Sequence, residues 1–508
     1  MRPIGATFHD KISPMKRFFI LMILSLMLTA CGAALEVVPT LTASPAPTAN
    51  ATPEPTLTPT DEPTSTPEPS PTPAPPPEIQ YAISAELDFS TRWLKVSQTI
   101  TIPNLSHESI TNLLLVIQPR WYDKAFQMNN LTWDDGQPIE GYYFDETSLI
   151  IPLAEPLAPN QARRLTIDYE IYLPQIIQSD DYGPIPFGYT LRQINLVDWY
   201  PFVPDYKDGE GWVVHPTWYY GEHLVYPVAN YDVSLKVVNA PAVTLVGSSA
   251  LDTGNADVHL YHLEDGRNFV ASISASYMLL EEQVGDVLAQ AYIFPQHQVA
   301  GKAAFDAMID SLELYNELYG PYPHPSLTLV EADFLHDMEY QSLIFISNGF
   351  FNTYDGTAET YLVTITTHET AHQWFFGQVG NDPFLEPWLD EAFCTYSERL
   401  FYENLYPDSQ DWWWYARVNY YVPSGPIDGA LPYNGDYRTY RDAVYLQGAK
   451  FLEDVRISIG DEAFFAFVKD YVDTYRNKIT TREDFFNTLA RHTDKDISAL
   501  IALYFLNP

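Results

Sequence analysis

Cysteine is nearly absent: the chain has two in 508 residues, Cys31 and Cys394. A disulfide-stapled scaffold is therefore excluded, and the chain must rely on apolar cores, which its length allows. Positive charge is scarce too, with 27 Lys and Arg against 66 Asp and Glu and a formal net charge of −39. A field of that sign repels phosphate backbones and anionic membrane surfaces, so nucleic acid is not an expected partner. Cationic peptides would follow such a field, although a solvated acidic surface is the simpler account. Long apolar runs are also missing. Phe18 to Leu28, preceded by Lys16-Arg17, is too short and wrongly flanked to span a bilayer.

That run ends Leu28-Thr29-Ala30-Cys31-Gly32, which resembles a bacterial lipobox. The expectation is a signal peptide over 1–30, lipidation of Cys31 and an anchored, extracytoplasmic protein. Val38 to Pro77 carries 14 Pro among Thr, Ser, Ala and Glu. Such a segment cannot bury a core and tends to polyproline II, so 31–77 is expected to be a stalk reaching up to roughly 120 Å.

From Glu78 the pattern changes. Leu165, Ile167, Tyr169, Ile171 and Leu173 alternate with other residues, as do Tyr231, Val233, Leu235 and Val237. Period two predicts half-buried strands, and a twisted antiparallel sandwich is expected over 78–283. Asp265-Gly266 between two such runs predicts a hairpin turn. After about residue 284 the period lengthens. Phe305, Met308, Ile309, Leu312, Tyr315 and Leu318 predict a helix ended by Gly320. Ser326 to Val330 predicts a strand, and Asp461 to Arg476 and Ile497 to Leu506 predict helices. Thr480-Thr481-Arg482-Glu483 predicts a capping box. The Trp412–Tyr421 aromatic cluster predicts packing, or a wall for an apolar side chain. Cys394 is expected to be a buried apolar filler.

The chemistry lies between Thr364 and Tyr396. His368, Glu369 and His372 form H-E-x-x-H, and eighteen residues separate His372 from Glu391. Residues four apart share one face of a helix, so both imidazoles can address one ion. Two His and Glu391 leave one position of a tetrahedral zinc open for water, and Glu369 is placed to take that water's proton. Gly377 predicts the end of this helix. A metzincin would need Gly at 375 and His at 378. The chain has Phe375 and Gln378.

His368-Glu369-Thr370-Ala371-His372-Gln373-Trp374-Phe375 with Trp388-Leu389-Asp390-Glu391-Ala392-Phe393 resembles the membrane alanyl aminopeptidase (aminopeptidase N) family of zinc metallopeptidases. The resemblance extends from about residue 80 to the end and is strongest from Gly320 to Gly460. It implies a multidomain α+β fold: the sandwich followed by a thermolysin-like, mainly helical catalytic domain over 284–508, with one zinc per chain. It also implies a short form without the carboxy-terminal helical domain of long members. His336-Asp337-Met338-Glu339-Tyr340 is similar to the family's Gly-Ala-Met-Glu-Asn strand. That similarity places Met338 and Glu339 against the substrate, with Glu339 on its free amine, while His336-Asp337 and Tyr340 depart from the pattern. Tyr445-Leu446-Gln447-Gly448-Ala449 resembles the family's Tyr-x-x-Gly-Ala stretch, which makes Tyr445 the oxyanion donor. Gln193 is a further candidate for the substrate's amino end. The expected activity is removal of amino-terminal residues from peptides. The rivals are an endopeptidase or oligopeptidase with an open cleft, and a surface binding protein that keeps zinc without catalysis.

Overall fold

Along Gln80–Asp88, Tyr81, Ile83, Ala85 and Leu87 are buried while the residues between them face solvent. The same alternation builds a six-stranded sheet in the order 259–266, 229–238, 80–88, 93–103, 162–172, 126–133. A three-stranded sheet (110–116, 148–157, 143–145) and a four-stranded sheet (244–247, 271–274, 194–196, 188–189) share its apolar core. The computed structural model describes residues 78–177, 186–248, 252–255 and 257–506. The expected signal peptide, Cys31 and the stalk lie outside the described residues. No helix among the described residues is long and apolar enough to cross a membrane.

Two expectations for this half need correction. The sheet is not wholly antiparallel, because Gln80–Asp88 and Ala229–Val238 run parallel. Parallel neighbours need a long crossover, and here the chain builds 93–103, 126–133 and 162–172 before returning. Asp265-Gly266 makes no hairpin. The strand His259–Gly266 pairs in the large sheet and the next strand, Ala271–Ser274, in the four-stranded one. Asp265, at φ 51°, marks the point where the chain leaves the large sheet.

A five-stranded sheet runs in the order 278–284, 287–293, 326–332, 343–347, 338–340. Its first strand, Met278–Val284, makes a hairpin with Val287–Ile293, so the boundary expected at 283/284 falls inside a strand. By sheet membership the change comes at about residue 278. The short edge strand Met338–Tyr340 is antiparallel to Leu343–Ser347 and registers Glu339 against Ile344.

Four helices follow or flank these strands: α1 (Gln298–Tyr319), α2 (Asn348–Thr353), α3 (Tyr361–Ala371) and α4 (Trp388–Leu405). Gly320 ends α1 at φ 111°, as its position in the sequence predicts. The remaining α-helices among the described residues are α5 (Gln410–Trp413), α6 (Tyr437–Arg441), α7 (Gly448–Ile459), α8 (Asp461–Tyr475), α9 (Arg482–His492) and α10 (Ser498–Tyr504). The last is shorter at both ends than 497–506. The capping box of α9 is Thr481 with Asp484, one residue later than expected. Thr480 is engaged elsewhere, its hydroxyl donating to Gly380 O at 2.8 Å.

Candidate metal centre and peptide cavity

Helix α3 reads Tyr-Leu-Val-Thr-Ile-Thr-Thr-His-Glu-Thr-Ala and is buried over nearly its whole length. Four threonines would strand their hydroxyls there. Instead Thr364, Thr366 and Thr370 donate to carbonyls four residues back, and Thr367 to one three back, at 2.7 to 2.9 Å. The helix ends at Ala371, with His372 as its cap, well before Gly377. The Gly377 N–H returns to His372 O at 2.8 Å and closes a turn. Inside that turn Phe376 sits at φ 127°, a strained value for a bulky residue that persists only under constraint. The constraint is Arg267, fully buried. Its Nε donates to Phe376 O and to Gly377 O (3.1 Å), Nη1 to Tyr226 O (2.8 Å), and Nη2 to Gln378 O (3.3 Å) and Lys478 O (3.0 Å).

The structure brings His368, His372 and Glu391 together. His368 Nε2 lies 3.2 Å from His372 Nε2 and 3.1 Å from Glu391 Oε2, and His372 Nε2 lies 3.5 Å from that oxygen. The opposite ring nitrogens fix the tautomers. His368 Nδ1 faces Glu398 Oε1 at 2.8 Å, and His372 Nδ1 faces Phe375 O at 3.0 Å. Both partners only accept, so both protons sit on Nδ1. The two Nε2 lone pairs and a carboxylate oxygen therefore converge on one point. Three electron-rich atoms at that spacing repel unless a cation lies between them, so this donor set fits a metal ion.

Around the cluster stand the other expected residues. Glu369 is 5% exposed, and its Oε2 has no hydrogen-bond partner. Burial raises its pKa well above the ordinary range, with Asp337, Glu391 and Glu222 adding; His368 opposes. Tyr445 donates to Glu391 Oε1, and its ring stacks on His368 at 5.8 Å. Burial also raises the Tyr445 pKa far above 10, so the phenol keeps its proton. Glu339 lies 3.9 Å from His372 Nδ1 and lines the cavity with Glu222, whose charge it senses. Met338 lines the same cavity, which holds about 1370 Å³.

Residues 303–504 match the peptidase family M1 domain. The match takes in the whole donor cluster, His368, His372 and Glu391. Over 222 residues it is 28% identical to an aminopeptidase N of Lactobacillus helveticus, covering 40% of this chain and 26% of the relative. The match thus spans about a quarter of the curated relative's length. An M1 zinc metallopeptidase from Deinococcus radiodurans shares the fold, with TM-score 0.60, 17% identity, and coverage of 84% of this chain and 93% of that one. A variant of the same enzyme solved with a Tyr-Ser-Ala substrate gives TM-score 0.57 at 17% identity, over 84% and 94% of the two chains.

Several residues of the site were not foreseen. Glu398, seven residues after Glu391, lies two turns along α4 and meets His368 from behind. It also accepts from Trp413 Nε1 (3.0 Å) and from Arg417 Nε and Nη2 (both 2.8 Å). The i, i+7 spacing was the available signal. Burial pushes the Glu398 pKa up, but Arg417 and His368 outweigh it and hold it below the usual range. Arg417 and Tyr445 each sit on a π-helical turn, Trp414–Val418 and Asp442–Gln447. Such turns are rare and often mark functional positions. The Trp412–Tyr421 cluster divides its roles: Trp413 is buried against Glu398, Tyr421 lines the cavity, and Tyr415 and Tyr420 are exposed.

Glu222 comes from the β-rich half, between the strands Gly211–Trp212 and Ala229–Val238. Burial raises its pKa to about 8, with Glu391 adding. Gln193 does not reach the cavity. Its amide donates to Tyr277 Oη and to Glu331 O (3.0 Å) and accepts from Asn195 and the Asp333 N–H, which makes it a structural link. His336 stays outside the ligand cluster, with Nδ1 on Asp337 O at 2.8 Å, while Asp337 accepts the Ser347 N–H at 2.6 Å. Cys394 is buried and its thiol pKa is raised by that burial, as expected of a packed residue.

Proposed function

We propose that this protein is a zinc-dependent metallopeptidase that removes amino-terminal residues from peptides, holding one zinc through His368, His372 and Glu391. When bound, zinc supplies Lewis acidity toward the scissile carbonyl and acidifies a water. Glu369 accepts that water's proton at its unpartnered oxygen and passes it to the leaving amine. The Tyr445 hydroxyl donates to the negative charge that develops on the carbonyl oxygen. Phe375 O and Glu398 hold the two imidazoles in their tautomers throughout.

The observation that carries the aminopeptidase reading is the Glu222–Glu339 pair beside the ligand cluster. Two buried carboxyls that sense each other's charge call for a proton or a cation to offset it. A substrate ammonium is such a cation, and Met338 provides an apolar neighbour. The test compares a peptide with a free amino end and its acetylated twin, reading cleavage positions by mass. Stepwise release from the free peptide alone supports the reading. Equal rates with internal cuts would make the protein an endopeptidase or oligopeptidase, and zinc without hydrolysis of either a binding protein.

The reading extends to the amino terminus: Cys31 is acylated, residues 31–77 form a stalk, and the peptidase stands on the outer face of a bacterial membrane. Its support is the apolar run ending Leu28-Thr29-Ala30-Cys31 and the Pro/Thr-rich segment after it. Cys31→Ser should move the expressed protein from the membrane to the soluble fraction. An unmodified, soluble wild type would refute the anchor.

A further inference from the structure

One end of the cavity gathers more acidic side chains than an amine needs. Asp198 lines it together with Gln118, Tyr226, Tyr340, Glu222 and Glu339. The proximity is electrostatic as well as geometric, since Glu222 feels the charge of Asp198, and Tyr340 feels Asp198, Glu222 and Glu339 together. Among the described residues no lysine or arginine is within ion-pair distance of any of the three carboxylates; His372 at 3.9 Å from Glu339 is the one basic group that close. The imidazole of His223, also at this end, is kept neutral by burial, with its pKa lowered to about 4.

A second observation is independent of charge. Gln118 is 4% exposed, yet its Oε1 has no hydrogen-bond partner, while its Nε2 faces His223 Nε2 at 3.4 Å. A buried amide oxygen left unpaired is unfavourable and lacks a donor. Among the described residues, the Tyr226 hydroxyl is the one group that hydrogen-bonds the Asp198 side chain. Among the described residues, Asp198 and Gln118 thus line one cavity, and neither side-chain oxygen of Asp198 nor Gln118 Oε1 accepts an N–H.

Resting on the aminopeptidase reading, we propose that this end of the cavity is the subsite for the substrate's first side chain, and that it takes a cationic one, lysine or arginine. The geometry requires such a neighbour. The first side chain branches from the carbon between the amine and the scissile carbonyl, so its pocket must border both the Glu222–Glu339 pair and the metal ligands. Asp198 supplies the charge, Gln118 Oε1 accepts a further N–H, and the rings of Tyr226 and Tyr340 flank an aliphatic stem. Burial lifts the Asp198 pKa only to about 6, because the Tyr226 hydrogen bond opposes it, so the charge is present above neutral pH.

The test uses the zinc-loaded protein and four aminoacyl 4-nitroanilides: Arg, Lys, Leu and Ala. The wild type should favour Arg and Lys over Leu in kcat/KM by about tenfold or more, the worth of one charge-assisted hydrogen bond. Asp198→Asn should erase most of that ratio, and Gln118→Leu part of it. Asn suits the site, because residue 198 sits at φ 48°, which Asn tolerates, and its amide oxygen still accepts from Tyr226. Leu cleaved as fast as Arg by the wild type, or an Arg to Leu ratio unchanged in Asp198→Asn, overturns the proposal. Calorimetry with argininamide and leucinamide reads the same preference without turnover. If no anilide is cleaved the aminopeptidase reading fails, and equal binding of the two amides then refutes the subsite separately.

Discussion

Glu398 Oε1 accepts the Nδ1 proton of His368 at 2.8 Å while the same carboxylate is clamped by Arg417. A ring held in this way presents Nε2 to the ion in one tautomer and one orientation. Glu398→Gln weakens that acceptor and leaves the Arg417 guanidinium buried without its counter-charge. Zinc affinity should fall by about 10–100-fold, measured by competition with a chromophoric chelator. Unchanged affinity would show that His368 needs no such support.

In the proposed mechanism Glu369 and Tyr445 act on protons and charge and supply no ligand atom. Glu369→Gln should keep zinc by elemental analysis and lose most of kcat, because an amide cannot take the proton. Tyr445→Phe should lose roughly 10²–10³-fold in kcat, as on removing one oxyanion donor. Near-normal turnover in either variant would reassign that residue.

Gly448 lets α7 approach α4 beside the ligand Glu391. A Cβ at 448 would stand 2.5 Å from Ala392 Cβ. Gly448→Ala should therefore force the helices apart, lower stability by about 1–3 kcal/mol and reduce kcat by shifting Tyr445. Ala392→Gly in the same chain should restore both, read by thermal melting and by rate. A single variant that melts and turns over like the wild type would show that the contact is loose.

Asp198 gives a pH dependence of unusual sign. Burial raises its pKa to about 6, with Tyr226 opposing; Glu222, Tyr122, Tyr200 and Tyr340 are the other titratable groups that sense it. The folded state thus binds this proton more tightly than the unfolded chain, whose carboxyl titrates near 3.8. The contribution to stability is complete below about pH 4, is lost as pH rises to about 6, and stays lost above, a difference on the order of 2–3 kcal/mol. Asp198→Asn should accordingly melt higher than the wild type at pH 8 and no higher at pH 4. Equal melting temperatures at pH 8 would mean that the carboxylate is already well solvated.

The spacing of His368, Glu369 and His372, with Glu391 opening the next helix, suffices to pick out the donor cluster and the candidate base. A helix puts residues four apart on one face whatever surrounds it. Alternation likewise marks the strands at Leu165–Leu173 and Tyr231–Val237. Periodicity ends where one element ends. It could not show that Thr480 would bond Gly380 and shift the cap of α9, or that Arg267 would bond the carbonyls of the strained turn at Phe376. Nor could it bring Glu222 and Asp198 from the β-rich half to the cavity that Glu339 lines, or seat Arg417 on Glu398. These placements depend on which surfaces pack together over long stretches of chain, and a buried charge finds its partner in that packing, not among its neighbours in sequence.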